Sequence, residues 1–138
     1  MILVVEDKQH DILLAQRAFA RAKVKVPLHV VNDGDAAVQY LSGAEPYEDR
    51  QRYPPPALVL LDLNLPRRSG HEVLAWIRKS PECAGVSFTI VVVSTSTEAR
   101  DRDLALDLGA HHYLVKPLSG ETIAGLLRLA GLAGMMDD

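Results

Sequence analysis

Four short apolar runs of the chain end in groups able to bind, donate to or attack a charged ligand. Residues 2–5 lead into Glu6 and Asp7, residues 57–61 into Asp62, residues 90–93 into Ser94, Thr95 and Ser96, and residues 113–115 into Lys116 and Pro117. Three carboxylates brought within a few ångströms repel one another, and a bound cation relieves them. An all-oxygen ligand set with room for water favours Mg²⁺, or Mn²⁺, over zinc. A lysine ammonium and a serine hydroxyl on the rim complete a set suited to a phosphoryl group, with an aspartate available as nucleophile. Taken singly, each group has a plainer use. A carboxylate at a strand end caps a helix or solvates a loop, and a lysine before proline sits on the surface. Their joint occurrence at four run ends is what points to chemistry.

The elements that must position these groups are legible from periodicity. The runs at 2–5, 57–61 and 90–93 are short, rich in β-branched residues and free of polar alternation, the mark of strands buried on both faces. Residues 28–31 and 113–115 are weaker strands of the same kind. Between them lie helical patterns over 11–22, 35–41, 71–79, 97–108 and 120–133; Ile12, Ala15, Phe19 and Ala22 set the apolar stripe of the first. Thr97 is the expected N-cap of the fourth helix and Gly109 its stop. The order βαβαβαβαβα predicts an α/β fold, a flavodoxin-like (βα)5 doubly wound parallel sheet with strand order 2-1-3-4-5. Ligands bind such sheets beyond the carboxyl ends of the strands, and strands one and three are neighbours, so Glu6, Asp7 and Asp62 are expected to converge. Residues 42–56, with three consecutive prolines and two tyrosines, read as an ordered excursion, long for a connection of this type.

Composition narrows the classes. A length of 138 residues predicts one domain, residues 1–138, able to bury a sizeable core. The 15 basic and 18 acidic residues leave a net charge of −3, a poor footprint for nucleic acid or an anionic membrane. One cysteine, Cys83, excludes an internal disulfide and a multi-cysteine zinc site. No apolar run nears the ~20 residues of a membrane span, and the start carries no signal-peptide pattern, so a soluble, cytoplasmic protein is expected.

In combination, Val4-Val5-Glu6-Asp7, the stretch Leu60 to Pro66, Gly70, Val92-Val93-Ser94-Thr95, Gly109-Ala110 and Lys116-Pro117 resemble the receiver domains of two-component response regulators. The resemblance spans essentially the whole chain. It implies that Asp62 is the phospho-acceptor. Glu6 and Asp7 would hold Mg²⁺ together with Asp62, directly or through water, with the Asn64 backbone carbonyl as a further ligand. Lys116 would pair with phosphoryl oxygens, Ser94 would hydrogen-bond the phosphoryl group in the active state, and Tyr113 would be the aromatic switch. Three hydroxyl residues compete for the one switch position. Ser94 stands 22 residues before Lys116, the spacing of the receiver pattern, which leaves Thr95 as its small neighbour. The family also implies a cis bond before Pro117, and the stretch 85–89 is longer than its pattern.

Residues 45–56, the run Asp62 to Gly70 and Ser94-Thr95-Ser96 resemble the small regulators paired with bacterial phytochromes, which implies a phytochrome histidine kinase as partner. The implied activity is that of a signalling protein, not an enzyme beyond self-phosphotransfer and autodephosphorylation. A phosphate sink, a phosphorelay intermediate, an aspartate-based phosphohydrolase and a phosphorylation-independent binding module are the competing readings. The hydrolases typically place a second acid where this chain has Asn64. No output domain is expected beyond the last helix, so output is expected through a surface. Leu126, Leu127, Leu129, Ala130 and Leu132, extended by Met135 and Met136, exceed one core-facing stripe. They point to a homodimer through the fourth helix, fifth strand and fifth helix over a merely well-buried final helix. Charges from Glu98 to Asp103 would set its pairing. Arg67 and Arg68 could steer a kinase or solvate their loop. His10 is expected on the surface of the first helix, His111 and His112 as structural residues, and Trp76 and Cys83 in packing.

Overall fold

In the computed structural model, which describes residues 1–83 and 87–137, five parallel strands carry five α-helices. Gly85 and Val86, in the stretch expected to be long, lie outside the described residues. The strands are β1 (Ile2–Val5), β2 (Leu28–Val31), β3 (Leu58–Asp62), β4 (Thr89–Ser94) and β5 (His112–Val115), in the order β2-β1-β3-β4-β5. The helices are α1 (Gln9–Arg21), α2 (Gly34–Ser42), α3 (Gly70–Lys79), α4 (Ala99–Asp107) and α5 (Gly120–Leu129). The expected flavodoxin-like sheet is the one observed. No helix among the described residues is long and apolar enough to cross a membrane.

The strands' continuous hydrophobicity follows from their two covered faces. Side chains alternate along a strand, so Ile2, Val4, Leu58, Leu60, Val91 and Val93 pack with Phe19 of α1 and Ile123 and Leu127 of α5. Leu3, Val5, Val59, Leu61 and Val92 pack on the other face with Tyr40 of α2, Val73 of α3 and Ala105 of α4. In register, Val4 lies beside both Val30 and Leu60, and Asp62 beside Val93.

Local chemistry starts the helices. Ser69 and Glu72 form a reciprocal capping box on α3, Asp33 Oδ1 accepts from the Ala36 amide at 2.7 Å on α2, and Ser119 Oγ accepts from Thr122 on α5. The fourth helix departs from expectation. Its N-cap is Glu98, without a side-chain cap bond, and not Thr97. Ser96, two residues before that N-cap, takes the capping function, its Oγ accepting from the Glu98 amide at 3.2 Å.

The chain end also differs. The last helix stops at Leu129 instead of running to Ala133, and a 3₁₀ turn follows over Ala133–Met135. Met135 is buried, and Leu132 and Met136 pack against the α1/α5 side of the core. Val24 and Met136 form an antiparallel bridge. The tail methionines therefore complete the chain's own core and do not extend an apolar surface. Only Leu129 of that apolar group stands out, 75 % exposed.

Residues 42–56 are ordered by aromatic packing. Tyr47 and Tyr53 close on Tyr40 and His29, and Arg50 donates to the Tyr40 and Tyr47 carbonyls at 2.8 and 3.2 Å. His111 serves the sheet, its Nδ1 accepting from the Ile90 amide at 2.9 Å. Trp76 and Cys83 pack against the core, as expected.

Candidate functional site

Strand parity assembles the site. Glu6 continues the alternation of Ile2 and Val4, Asp62 that of Leu58 and Leu60, and Lys116 follows Leu114, all on the face packed by α1 and α5. Three strand ends thus deliver two carboxylates and an ammonium to one spot. The Lys116 Nζ donates to Glu6 Oε2 at 3.0 Å and to Asp62 Oδ2 at 3.4 Å. Glu6 and Asp62 are almost wholly buried, at 3 % and 2 % exposure. Asp7 is exposed, and its carboxylate, with those of Glu6 and Asp62, offers oxygens all within 4.8 Å of one another. The predicted convergence of these three residues is observed.

The loop after β3 is held so that the Asp62 carboxylate is aimed. The Asn64 amide donates to Asp62 Oδ1 at 3.2 Å; what the structure brings to Asp62 from Asn64 is therefore its N–H. Gly70 opens α3 against the strand end, its amide donating to the Leu63 carbonyl at 3.0 Å. A Cβ at this glycine would stand 2.5 Å from the Asp62 carbonyl oxygen and 2.7 Å from Leu63 Cα. Only a residue without a side chain permits that approach. Arg67 and Arg68, within the same loop, pair with Asp33 at 3.6 Å and Asp35 at 3.1 Å, tying it to the start of α2.

Burying like charges has a measurable consequence. Burial and the neighbouring Asp62 carboxylate push the Glu6 carboxyl up to about 7, against the pull of Lys116. For Lys116, burial works to lower the pKa, but hydrogen bonds to Glu6 and Asp11 and the charges of Asp62 and Glu6 outweigh it and hold the ammonium above its usual value. Glu6 at neutral pH is thus poised between forms, and a divalent cation would draw it to the carboxylate. The donor set consists of carboxylate oxygens with one member, Asp7, open to water. That suits a hard cation such as Mg²⁺ or Mn²⁺.

Two residues in contact with the predicted site residues were given no role by the sequence reading. Asp11, in the first turn of α1, accepts from Lys116 Nζ at 3.0 Å. The available signal was its place near the start of the helix that follows Asp7 and packs over the face carrying Glu6 and Asp62. Ser96 is the second, weighed only as a rival for the switch hydroxyl. His10, although exposed, lines with Glu6, Asp11, Leu14 and Lys116 a cavity of about 230 Å³ between α1 and the strand ends.

Ser94 and Tyr113 have the opposite parity and face the α4 side of the sheet. Ser94 is buried, at 2 % exposure, and its Oγ accepts from the Ser96 amide at 3.1 Å; Thr95 is exposed beside the cavity mouth. The Tyr113 hydroxyl donates to the Ser96 carbonyl at 2.9 Å, and the Ser96 hydroxyl bonds the Asp101 carboxylate on α4. One residue, Ser96, therefore joins Ser94, Tyr113 and α4. The Lys116–Pro117 bond is cis.

Comparison with known proteins shows the family and agrees with the fold. A family model described as the response regulator receiver domain matches residues 2–128. The response regulator Rcp1 of Synechocystis sp. is 36% identical over 116 residues, 84% of this chain and 76% of that protein. A solved structure of Rcp1 in its Mn²⁺-bound form aligns with a TM-score of 0.77 at 32% identity, over 94% of this chain and 92% of that one. The response regulator RPA3017, from red light signalling in R. palustris, aligns with a TM-score of 0.84 at 35% identity, covering 93% and 91% of the two chains. The phosphorylated cyanobacterial phytochrome response regulator RcpA aligns with a TM-score of 0.79 at 34% identity, again over 93% and 91%.

Proposed function

The chain belongs to the response regulator receiver domain family, and on that premise we propose that it accepts a phosphoryl group from a histidine kinase onto Asp62. The observation that carries this reading is the Asp62 carboxylate itself. It is buried, aimed by the Asn64 amide at 3.2 Å and set 3.4 Å from the Lys116 ammonium.

In the proposed step an Asp62 Oδ–P bond forms as the P–N bond of a phosphohistidine breaks, and the electron pair leaves with the imidazole. Lys116 donates to a phosphoryl oxygen in place of its long contact to Asp62. The Ser94 hydroxyl turns from its bond with the Ser96 amide to donate to a second oxygen. Glu6, Asp7 and Asp62, with the Asn64 backbone carbonyl, would hold Mg²⁺, which when bound supplies positive charge to the phosphoryl oxygens. Positioning and electrostatics of this kind do most of the work in phosphoryl transfer.

The signal leaves through the α4 side. Withdrawing Ser94 from Ser96 loosens the residue that also holds the Tyr113 hydroxyl and Asp101, so Tyr113 and α4 follow. A switch from 1:99 to 99:1 needs about 5.5 kcal/mol of differential stabilisation. Two or three charge-assisted hydrogen bonds at roughly 1.5–3 kcal/mol each are of that size. Leu104 of α4 and Val115 of β5 stay exposed, at 47 % and 42 %, and support pairing with a second copy through α4, β5 and α5. A phytochrome-type kinase is the partner we infer, supported by the relatives named for red light and phytochrome signalling.

Intact mass after incubation with acetyl phosphate and Mg²⁺ tests the reading. One phosphoryl group is expected on the wild type and none on Asp62→Asn or with EDTA. Folded protein that gains nothing, while releasing no phosphate, would make the site a binding surface and end the proposal.

A further inference from the structure

The Lys116 ammonium has three N–H donors and meets three carboxylates: Glu6 at 3.0 Å, Asp11 at 3.0 Å and Asp62 at 3.4 Å. Glu6 and Asp62 also belong to the oxygen trio that, with Asp7, fits a divalent cation. Asp11 does not. We propose that Asp11 is a positioning residue for phosphoryl transfer, the anchor that keeps Lys116 in place once Glu6 and Asp62 are engaged elsewhere. The proposal rests on the receiver reading and adds a residue to it.

A lysine carries a flexible four-carbon stem and a strongly hydrated head, so its position depends on what holds the ammonium. In the structure Glu6 and Asp62 share that task. A dication taking their oxygens withdraws their charge from the ammonium and repels it, which favours a swing of Nζ into water. Asp11 opposes that swing from outside the trio. Its side chain is 22 % exposed and that of Lys116 13 %, so solvent screens this pair less than an ordinary surface ion pair. Asp11 need not be displaced when the site is used. The longest of the three contacts is the one to Asp62, and that donor is the one a phosphoryl oxygen on Asp62 takes over. Two donors then remain for anchors, and Asp11 is the one anchor with no second duty.

The position in α1 suits the role. The first turn of this helix abuts the face on which Glu6, Asp62 and Lys116 lie, and an acidic side chain there is favoured by the helix dipole. Asparagine at this position keeps the acceptor oxygen and loses the charge; alanine loses both; glutamate keeps both on a longer stem.

The test compares wild type, Asp11→Ala, Asp11→Asn, Asp11→Glu, Lys116→Ala and the double variant Asp11→Ala with Lys116→Ala. Thermal melts first establish that each is folded. The first readout is the initial rate of phosphoryl gain by intact mass at saturating acetyl phosphate and Mg²⁺. There the Asp62 Oδ–P bond forms as the donor's P–O bond breaks and the electron pair leaves with acetate. The second is ¹⁹F NMR of beryllofluoride held at Asp62, which needs the anchored lysine but involves no bond cleavage. Asp11→Ala is expected to lower both the rate and the beryllofluoride affinity about tenfold, a change of about 1.4 kcal/mol. Asp11→Asn should fall between, and Asp11→Glu should recover most of the loss. In the Lys116→Ala background Asp11→Ala should change nothing further. Three results would overturn the proposal: wild-type behaviour of Asp11→Ala, an equal loss with and without Lys116, or a faster rate, which would make Asp11 a competitor for the lysine. A wild type that takes up no phosphoryl group would overturn the receiver reading and this proposal with it. A phosphorylated wild type with an indifferent Asp11→Ala would overturn the proposal alone.

Discussion

Two regions of the molecule bury titratable side chains, and they do so with opposite results. Around the excursion after α2, His29, Tyr40, Tyr47 and Tyr53 stack with ring centroids 4.9–6.2 Å apart, and the Tyr40 hydroxyl donates to the Pro54 carbonyl at 2.9 Å. Burial pushes the His29 imidazolium down and the Tyr40 and Tyr47 phenols up, each toward its neutral form. None of these three rings is left charged, the half-buried Arg50 guanidinium finds the Tyr40 and Tyr47 carbonyls, and packing completes the region. At the ends of β1, β3 and β5, two carboxylates are buried as deeply, and one ammonium cannot balance the four carboxylates gathered there. Burial that ends in neutral groups makes structure. Burial that leaves an excess of one charge makes a demand, which a cation and a transferred group can meet.

If the contrast holds, disturbing the aromatic region costs stability alone, whereas disturbing the cup costs stability in a way that pH and divalent cations can reverse. The largest effect is expected from Tyr40→Ala, which empties a site with 0 % exposure. Denaturant unfolding should report a loss of about 3–5 kcal/mol, independent of Mg²⁺. A Mg²⁺-dependent loss would break the separation of the two regions.

Next in size is the pH dependence carried by Glu6. Its carboxyl titrates near 7 when folded, above the 4.5 of an unperturbed side chain. The folded state therefore binds the proton more tightly, and its contribution is complete at low pH and lost as pH rises through 7. Wild type measured against Glu6→Gln should lose on the order of 2–3 kcal/mol between pH 4.5 and 8. His29 acts in the other sense, its lowered pKa favouring the fold above pH 6.5 and less below, which is why the difference between the two proteins is the quantity to follow. Saturating Mg²⁺ should flatten it; a slope unchanged by the cation would sever Glu6 from the metal trio.

Lys116→Ala should follow, at about 2 kcal/mol at pH 8 without divalent cations. The loss should shrink at pH 5, where Glu6 takes up a proton, and in Mg²⁺. Equal losses at both pH values would mean that Lys116 contributes packing and not charge. The smallest effect is expected from Tyr40→Phe. It removes only the hydrogen bond to Pro54 and should cost about 1 kcal/mol by the same unfolding measurement.

The sheet and most of the cup were readable because strands buried on both faces leave an unbroken apolar run, and the first polar residue after it marks the site end. Glu6, Asp62, Ser94 and Lys116 are all of that kind, and Asp7 directly follows Glu6. Parity went further than it was used. It separates Glu6, Asp62 and Lys116 from Ser94 and Tyr113, and so divides the proposed chemistry from its proposed readout. Asp11 was missed because it belongs to a helix and no apolar run announces it. Ser96 was missed because its links to Ser94 and Tyr113 run through its backbone amide and carbonyl, and backbone groups carry no sequence signature. Thr97 looked like a cap by residue type, but Ser96 already holds the turn. The tail methionines misled because an apolar chain end reads the same whether it covers a partner or folds back on its own core.

That folded-back end has a practical side. The bridge between Val24 and Met136, with the Lys25 amide on the Met135 carbonyl and the Asp137 amide on the Lys23 carbonyl, pins the segment just before β2, at the amino ends of the strands. Asp62 lies at their carboxyl ends. A dye, affinity handle or sensor surface attached through that segment would leave the acidic pole facing outward, free to meet a kinase in solution.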